Sequence, residues 1–173
     1  PVGAGIVRVS EATVSVPDEG GALDLSAIAA DWIVETSVCF EVESIMTDPM
    51  TVDCSDDGSI VPVTVTATAV NGSTATCVVD VTVEDQTPPT VICPEDQVLA
   101  CVAGGTFFSF VPEVSDNCSA EGDITVIITP DPNVEPLEFG SNEITVSAID
   151  EAGNEGTCTF FIKKWIVHST AVS

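Results

Sequence analysis

The chain has no tyrosine, one histidine and only three Lys+Arg against 28 Asp+Glu, and each scarcity removes a class of function. A net charge of −25 excludes a protein that tracks nucleic-acid phosphates, because such binding needs basic side chains to displace counterions. It argues equally against adsorption to anionic membranes. No apolar run approaches the roughly 20 residues of a membrane span, so no membrane span is expected in this segment. The absence of any Cys-x-x-Cys, with His168 remote from the cysteines, removes the spacings of a zinc site. No Gly-x-Ser-x-Gly elbow presents a serine, so no enzyme activity is expected and His168 reads as a surface histidine in a tail. Aromatics are 5% of the chain, seven Phe and two Trp, which leaves Trp32 and Trp165 as the plausible anchors of a carbohydrate-binding surface. Pro1 stands where an initiator Met would, without a signal peptide, and reads as a processed product or a fragment of something longer.

What is present is strand-forming. Hydrophobic residues make up 45%, enough for cores and too many for a disordered chain. They are mostly Val, Ile and Ala mixed with Thr, a composition that suits pleated, half-buried strands. Seven cysteines, at 39, 54, 77, 93, 101, 118 and 158, point to disulfides and an oxidising, extracellular compartment.

Shifted by 81 positions, the sequence meets itself: Val63–Ala67 falls on Ile144–Ala148, Gly72 on Gly153, and Thr76-Cys77 on Thr157-Cys158. Cys39 falls on Cys118 at a shift of 79. Two repeats follow, 1–86 and 87–173, each short enough to need staples or neighbours for stability. Glu84–Pro89 joins them, and its two prolines make the junction short and stiff.

The alternation of Ile144, Val146 and Ala148 with Thr145 and Ser147 predicts a strand with one apolar face. Glu151–Asn154 supplies a reversal and Thr157–Ile162 returns. In the first repeat Pro62–Val70 and Thr74–Val83 form the matching hairpin around Asn71-Gly72. Further strands are expected at Ile6–Val16, Val38–Val42, Thr51–Asp53, Thr90–Cys93, Phe107–Val111 and Ile124–Thr129. Ser26–Asp31 fits one helical turn with Ser26 as its cap.

Thr87-Pro-Pro-Thr-Val-Ile-Cys-Pro94, Val114-Ser-Asp-Asn-Cys118, Glu138-Phe-Gly140 and Ala148–Phe160 occur in the order that resembles the HYR (hyalin repeat) domain. The first repeat resembles it more distantly, through Leu25–Asp31, Asp53-Cys-Ser55 and Asn71–Cys77, in the manner of tandem-repeat surface adhesins of Bacteroidota. The resemblance implies an all-β fold of two tandem immunoglobulin-like sandwiches, disulfide-stapled, in an extracellular, adhesion-related setting. It also implies that Cys93 pairs with Cys158, Cys101 with Cys118, and Cys39 with Cys54. Cys77 is then left over, because its expected mate falls near Val9. It is either buried and inert or bonded to a neighbouring chain.

Calcium is the one cofactor that the acidity suggests, and Glu84, Asp85, Asp116 and Asp150 are the candidate ligands. Asp116 and Asp150 read equally as turn residues that bond local backbone. Asp53–Gly58 resembles the start of a calcium loop, but Thr64 stands where a bidentate Glu is required, so an acidic turn is expected. Asn71 and Asn117 head formal glycosylation sequons, of use only in a glycosylating host. Past Ile162, Lys163, Lys164, Trp165, Ile166 and Val167 keep the strand pattern with apolar groups on both faces. This stretch is either an extended last strand or a contact that docks on a neighbouring subunit. Arg8, Lys163 and Lys164 are the three cations, and such a contact would bring them to a neighbour's acidic surface.

The expected function is a structural or adhesive repeat segment, a stalk or adhesin, of a secreted or cell-surface protein. Its partners would be neighbouring repeats or identical subunits, and surface glycans or proteins. The alternatives are a self-assembling filament subunit that uses the last strand head to tail, and a carbohydrate-binding module.

Overall fold

A computed structural model describes residues 11–32, 42–101 and 107–165 of the chain. They fall into two compact units, 1–87 and 88–173. The first contains β1 (Glu11–Ser15), β2 (Leu23–Asp24), α1 (Leu25–Ile28), β3 (Val42–Asp48), β4 (Thr51–Val52), β5 (Ile60–Ala69) and β6 (Thr74–Glu84). The second contains β7 (Thr90–Ile92), β8 (Gln97–Ala100), β9 (Glu113–Ser115), β10 (Thr125–Thr129), β11 (Gly140–Ile149) and β12 (Glu155–Trp165). Each unit has one four-stranded and one two-stranded sheet: β1-β6-β5-β3 with β2-β4, and β10-β11-β12-β8 with β7-β9. The fold is all-β, of the immunoglobulin-like sandwich type.

In both units the long antiparallel hairpin organises the sheet, because its two-residue period turns a row of apolar side chains inward. Val63 and Val65 of β5 and Val79, Val81 and Val83 of β6 are buried in the first unit. Ile144, Val146 and Ala148 of β11, with Phe160 and Ile162 of β12, are buried in the second. The registers correspond as well, Val65 standing opposite Cys77 and Val146 opposite Cys158. Around Ile144, Val146, Phe160 and Ile162 pack Leu137, Phe108, Phe110 and the sulfurs of Cys93 and Cys158. Phe110 meets the ring of Phe160 edge-on at 5.0 Å between centroids. Burying one such large side chain contributes about 1.5–3 kcal/mol.

Several expected boundaries move for identifiable reasons. The helical turn starts at Leu25, and its cap is Asp24 rather than Ser26. Asp24 Oδ1 accepts from the Ser26 backbone N–H at 2.9 Å and from the Ser26 hydroxyl. Those two bonds hold the Asp24 carboxyl below its usual range, the hydroxyl bond contributing most. Phe107–Val111, expected as a strand, forms no ladder. Phe108 N–H donates to Pro132 O at 3.1 Å and Phe110 N–H to Asn133 Oδ1 at 3.1 Å. Prolines 130 and 132 have no N–H to return. The short strands β8 and β9 and most of β3 carry too little periodicity for the sequence to announce them. The expected strand Val38–Val42 lies almost wholly outside the described residues, as does the first half of Ile6–Val16.

Backbone passes very close to β12 at its start. A Cβ on Gly156 would lie 1.8 Å from Pro89 O and 3.0 Å from Pro89 C. The obstacle is backbone, which cannot swing aside as a side chain can. Gly156→Ala is therefore expected to destabilise the second unit by about 1–3 kcal/mol. Thermal unfolding would register this, and an unchanged midpoint would mean that the Pro89 segment is free to move away.

Candidate functional site

The cysteines divide by position on β12. Cys93 follows β7 and Cys158 lies inward on β12, and the two are bonded, with S–S 1.95 Å and Cα atoms 5.9 Å apart. The implied Cys101–Cys118 bond is not made: Cys101 carries a free thiol, and Cys118 is disulfide-bonded but not to Cys101. The reason is distance. The Cys101 backbone N–H donates to Trp165 O at 3.0 Å, which fixes it beside the last residue of β12. Ser119, next to Cys118, accepts from Glu151 N–H at 3.1 Å, beside the turn that precedes β12. These lie at opposite ends of a strand that runs for about 30 Å, whereas bonded cysteines need Cα atoms within about 7 Å. Cys54 is disulfide-bonded, and Cys39, its implied partner, lies outside the described residues. Cys77 is a half-buried free thiol, and its burial pushes its pKa up.

The turn at the other end gathers carboxylates. Asp150 ends the inward row of β11 and is buried. Its Oδ1 accepts from Asn154 N–H at 2.7 Å and its Oδ2 from Asn154 Nδ2 at 2.9 Å, closing the turn that Gly153 permits at φ 93°. Asp116 follows β9, and its Oδ2 accepts from the N–H groups of Cys118 at 2.9 Å and Ser119 at 2.8 Å. Its other oxygen, Oδ1, is buried and accepts no hydrogen bond. Asp85 follows β6 and is buried, with Oδ1 accepting from Thr87 N–H at 3.1 Å. Asp85, Asp116 and Asp150 each offer a carboxylate oxygen, all within 4.8 Å of one another. Glu84 is not in this group; its Oε2 accepts from Gln86 Nε2 at 2.9 Å.

The family model of the HYR domain matches residues 84–164. This part of the chain is a HYR domain. Its span takes in Asp85, so the three aspartates all belong to the HYR domain's own residues. A HYR domain closed by a disulfide is an extracellular, adhesion-type repeat module.

Solved structures similar to the chain include fibronectin(III)-like modules of CbhA from Clostridium thermocellum, at 15% identity over 90% of this chain and 91% of that one, TM-score 0.36. Drosophila N-cadherin EC1-4 is similar at 14% identity over 90% of this chain and 47% of that one, TM-score 0.39. The titin I-band fragment I67-I69 is similar at 13% identity over 96% and 67%, TM-score 0.39. Likenesses this weak decide neither partner nor activity. No curated protein matches the chain.

Other candidates take ordinary places around the HYR domain and its neighbour. Asp53–Gly58 is an acidic turn. Asp53 Oδ1 accepts from Ser55 N–H at 2.9 Å and Ser55 Oγ at 2.6 Å, while Asp56 Oδ2 accepts from Asp53 N–H at 3.1 Å. The Ser55 hydroxyl, with the backbone N–H second, holds the Asp53 carboxyl below its usual range. Asn71 stands exposed at the β5–β6 tip, its Oδ1 accepting from Ser73 N–H at 2.9 Å. Asn117 is half-buried, its Nδ2 donating to Cys118 Sγ at 3.4 Å. Lys163 and Trp165 are exposed on β12, whereas Lys164 donates from Nζ to Leu137 O at 2.7 Å. Trp32 is half-buried; Ile166, Val167 and His168 lie outside the described residues. Among the described residues, no helix is long and apolar enough to cross a membrane.

Sequence reasoning named three of the four residues that could ligate a cation, because acidic positions beside turn signals are visible in it. It missed that Glu84 points elsewhere and that Asp116 keeps one oxygen in reserve. For Cys77 the raised pKa has a measurable consequence. At pH 8 the native thiol is less ionised than in the unfolded chain, so iodoacetamide should alkylate it more slowly before denaturation than after. Equal rates at Cys77 in peptide mapping would contradict the half-buried, unreactive thiol.

Proposed function

We propose that the chain is a non-enzymatic spacer or adhesin segment of a secreted or cell-surface protein, holding neighbouring repeats and presenting their surfaces to glycans or proteins. The Cys93–Cys158 bond is the observation that carries this reading, because it ties the strand that opens the HYR domain to the strand that closes it. A load applied across the domain then passes through a covalent link, and the chain between the two cysteines is shielded from extension. The sequence separation is 65, so the shielded length is about 23 nm at full extension.

Single-molecule pulling tests the spacer reading. The oxidised domain should unfold with a contour-length step about 20 nm shorter than after reduction. Identical steps before and after reductant would mean that the disulfide bears no load, and the mechanical reading would fail.

Calcium belongs to this reading as its cofactor. Asp85, Asp116 and Asp150 supply three carboxylates, and the buried Oδ1 of Asp116 is an acceptor without a hydrogen bond. Ca²⁺ takes 6–8 oxygens, so backbone carbonyls and waters would complete the shell. A bound cation would relieve the mutual repulsion of the three carboxylates and fix the turn that precedes β12. With free calcium about tenfold above the dissociation constant, the melting temperature should rise by about 5 °C or more, and EDTA should reverse it. Asp116→Asn should abolish the rise while leaving the calcium-free melting temperature within a few degrees. No calcium-dependent shift in the native chain would remove the cofactor from the reading.

The filament alternative is favoured by one specific feature, the exposed end of β12.

A further inference from the structure

The outward face of β12 differs from the rest of this acidic protein. Phe160 and Ile162 point inward, 2% and 0% exposed, so the alternation sends Phe161, Lys163 and Trp165 to the other face. Phe161 and Trp165 are 38% and 57% exposed, and four residues of strand separate them by about 13 Å. Lys163 stands between them, opposite Ser141 on β11 and Val98 on β8, and Val98 is itself 68% exposed. Trp165 stands opposite Ala100. The sheet end is thus an uncovered apolar strip with one ammonium at its centre.

That ammonium is uncommitted. Lys164, its neighbour, turns back to bond Leu137 O, whereas Lys163 makes no ion pair among the described residues. The charge distribution says what would satisfy it. All 28 carboxylates lie between Glu11 and Glu155, and all three Lys+Arg lie outside that interval, at Arg8, Lys163 and Lys164. The whole body of a second copy is therefore a surface of opposite sign. A polyanion would be repelled by the net charge of −25, whereas another copy offers carboxylates beside apolar strand surface.

We propose that the outward end of β12, with Phe161, Lys163, Trp165 and Val98 at its centre, is the docking surface for the carboxylate-rich face of a second copy of this chain. This deepens the assembly alternative and does not depend on the spacer reading. Pulling measures the disulfide within one chain, and self-association measures this face between chains. The aromatic rings supply the apolar area removed from water, and Lys163 supplies register and steering.

Sedimentation velocity of the intact chain, from about 1 µM to about 1 mM, tests it. The expected result is concentration-dependent association that weakens as ionic strength rises from about 0.05 M to about 0.5 M. Lys163→Glu should weaken association at least about tenfold, and Lys163→Arg should keep it within about threefold. Trp165→Ser and Phe161→Ser should each weaken it, with circular dichroism showing native strand content, since both rings are exposed. In a Trp32→Phe background, Trp165 emission should move to shorter wavelength as the chain associates. A monomer throughout the range overturns the proposal. So does association that Lys163→Glu and Trp165→Ser leave unchanged, or a monomeric chain whose Trp165 emission responds only to added neutral glycan.

Discussion

The closing hairpin of the HYR domain is the constraint on which the rest of that domain depends. Its period of two commits Ile144, Val146, Ala148, Phe160 and Ile162 to one face, and every other element finds its place by covering them. Phe108 and Phe110 reach the core from a segment that makes no ladder, held by Pro132 O and Asn133 Oδ1 instead. Leu137 arrives from the loop before β11, and Cys93 is bonded to the hairpin outright. With so few aromatics, the core relies on β-branched side chains, which fill a pleated surface well but individually bury little area. The covalent link supplements a small core whose close packing leaves no room even for a Cβ at Gly156.

The same hairpin also separates chemistry along its length. Asp150 and Asp116 sit at its turn, where Asx-type bonds to Asn154, Cys118 and Ser119 arrange the carboxylates. Phe161, Lys163 and Trp165 sit toward its open end, past the last carboxylate of the sequence. About 30 Å of strand keeps the two apart. Within the HYR domain, then, the acceptor groups suited to a cation and the cationic, aromatic strip suited to an acidic partner occupy opposite ends of one strand. That polarity follows from strand geometry and the order of residues, without any further device.

Much of this was legible in the residues because it rests on local rules. Strict alternation announced both hairpins, Asn71-Gly72 and Gly153-Asn154 announced their turns, and the ordered motifs from Thr87 to Phe160 announced the HYR domain. The carboxylates at 85, 116 and 150 were nameable because they flank such turns. What the sequence could not supply was information about pairing across space. β8 joins β12 in parallel through four residue pairs, and nothing local in Gln97–Ala100 specifies it. That pairing carries Cys101 to the wrong end of the sheet for Cys118, so the staple inferred from likeness failed for a topological reason. The cap at Asp24 instead of Ser26 is a smaller instance. Both residues suit the role, and the choice was made by where the first helical turn could begin after β2.

The first unit shows what happens when the staple is absent from an equivalent position. Cys77 stands opposite Val65 as Cys158 stands opposite Val146, yet Cys77 is a free thiol and Cys158 is bonded. The first hairpin compensates with apolar burial. Val63, Val65, Val79, Val81 and Val83 line its inner face, and Val14, Val16, Leu25, Ala29 and Val52 bury with them. Ten largely enclosed side chains at about 1.5–3 kcal/mol each for the larger ones exceed the roughly 2–5 kcal/mol typical of a native disulfide. A hairpin of this kind can therefore be held by a bond or by a denser valine core. The retained half-buried sulfur at position 77 then acts as one more small apolar group against that core, with its thiol kept protonated by the same burial.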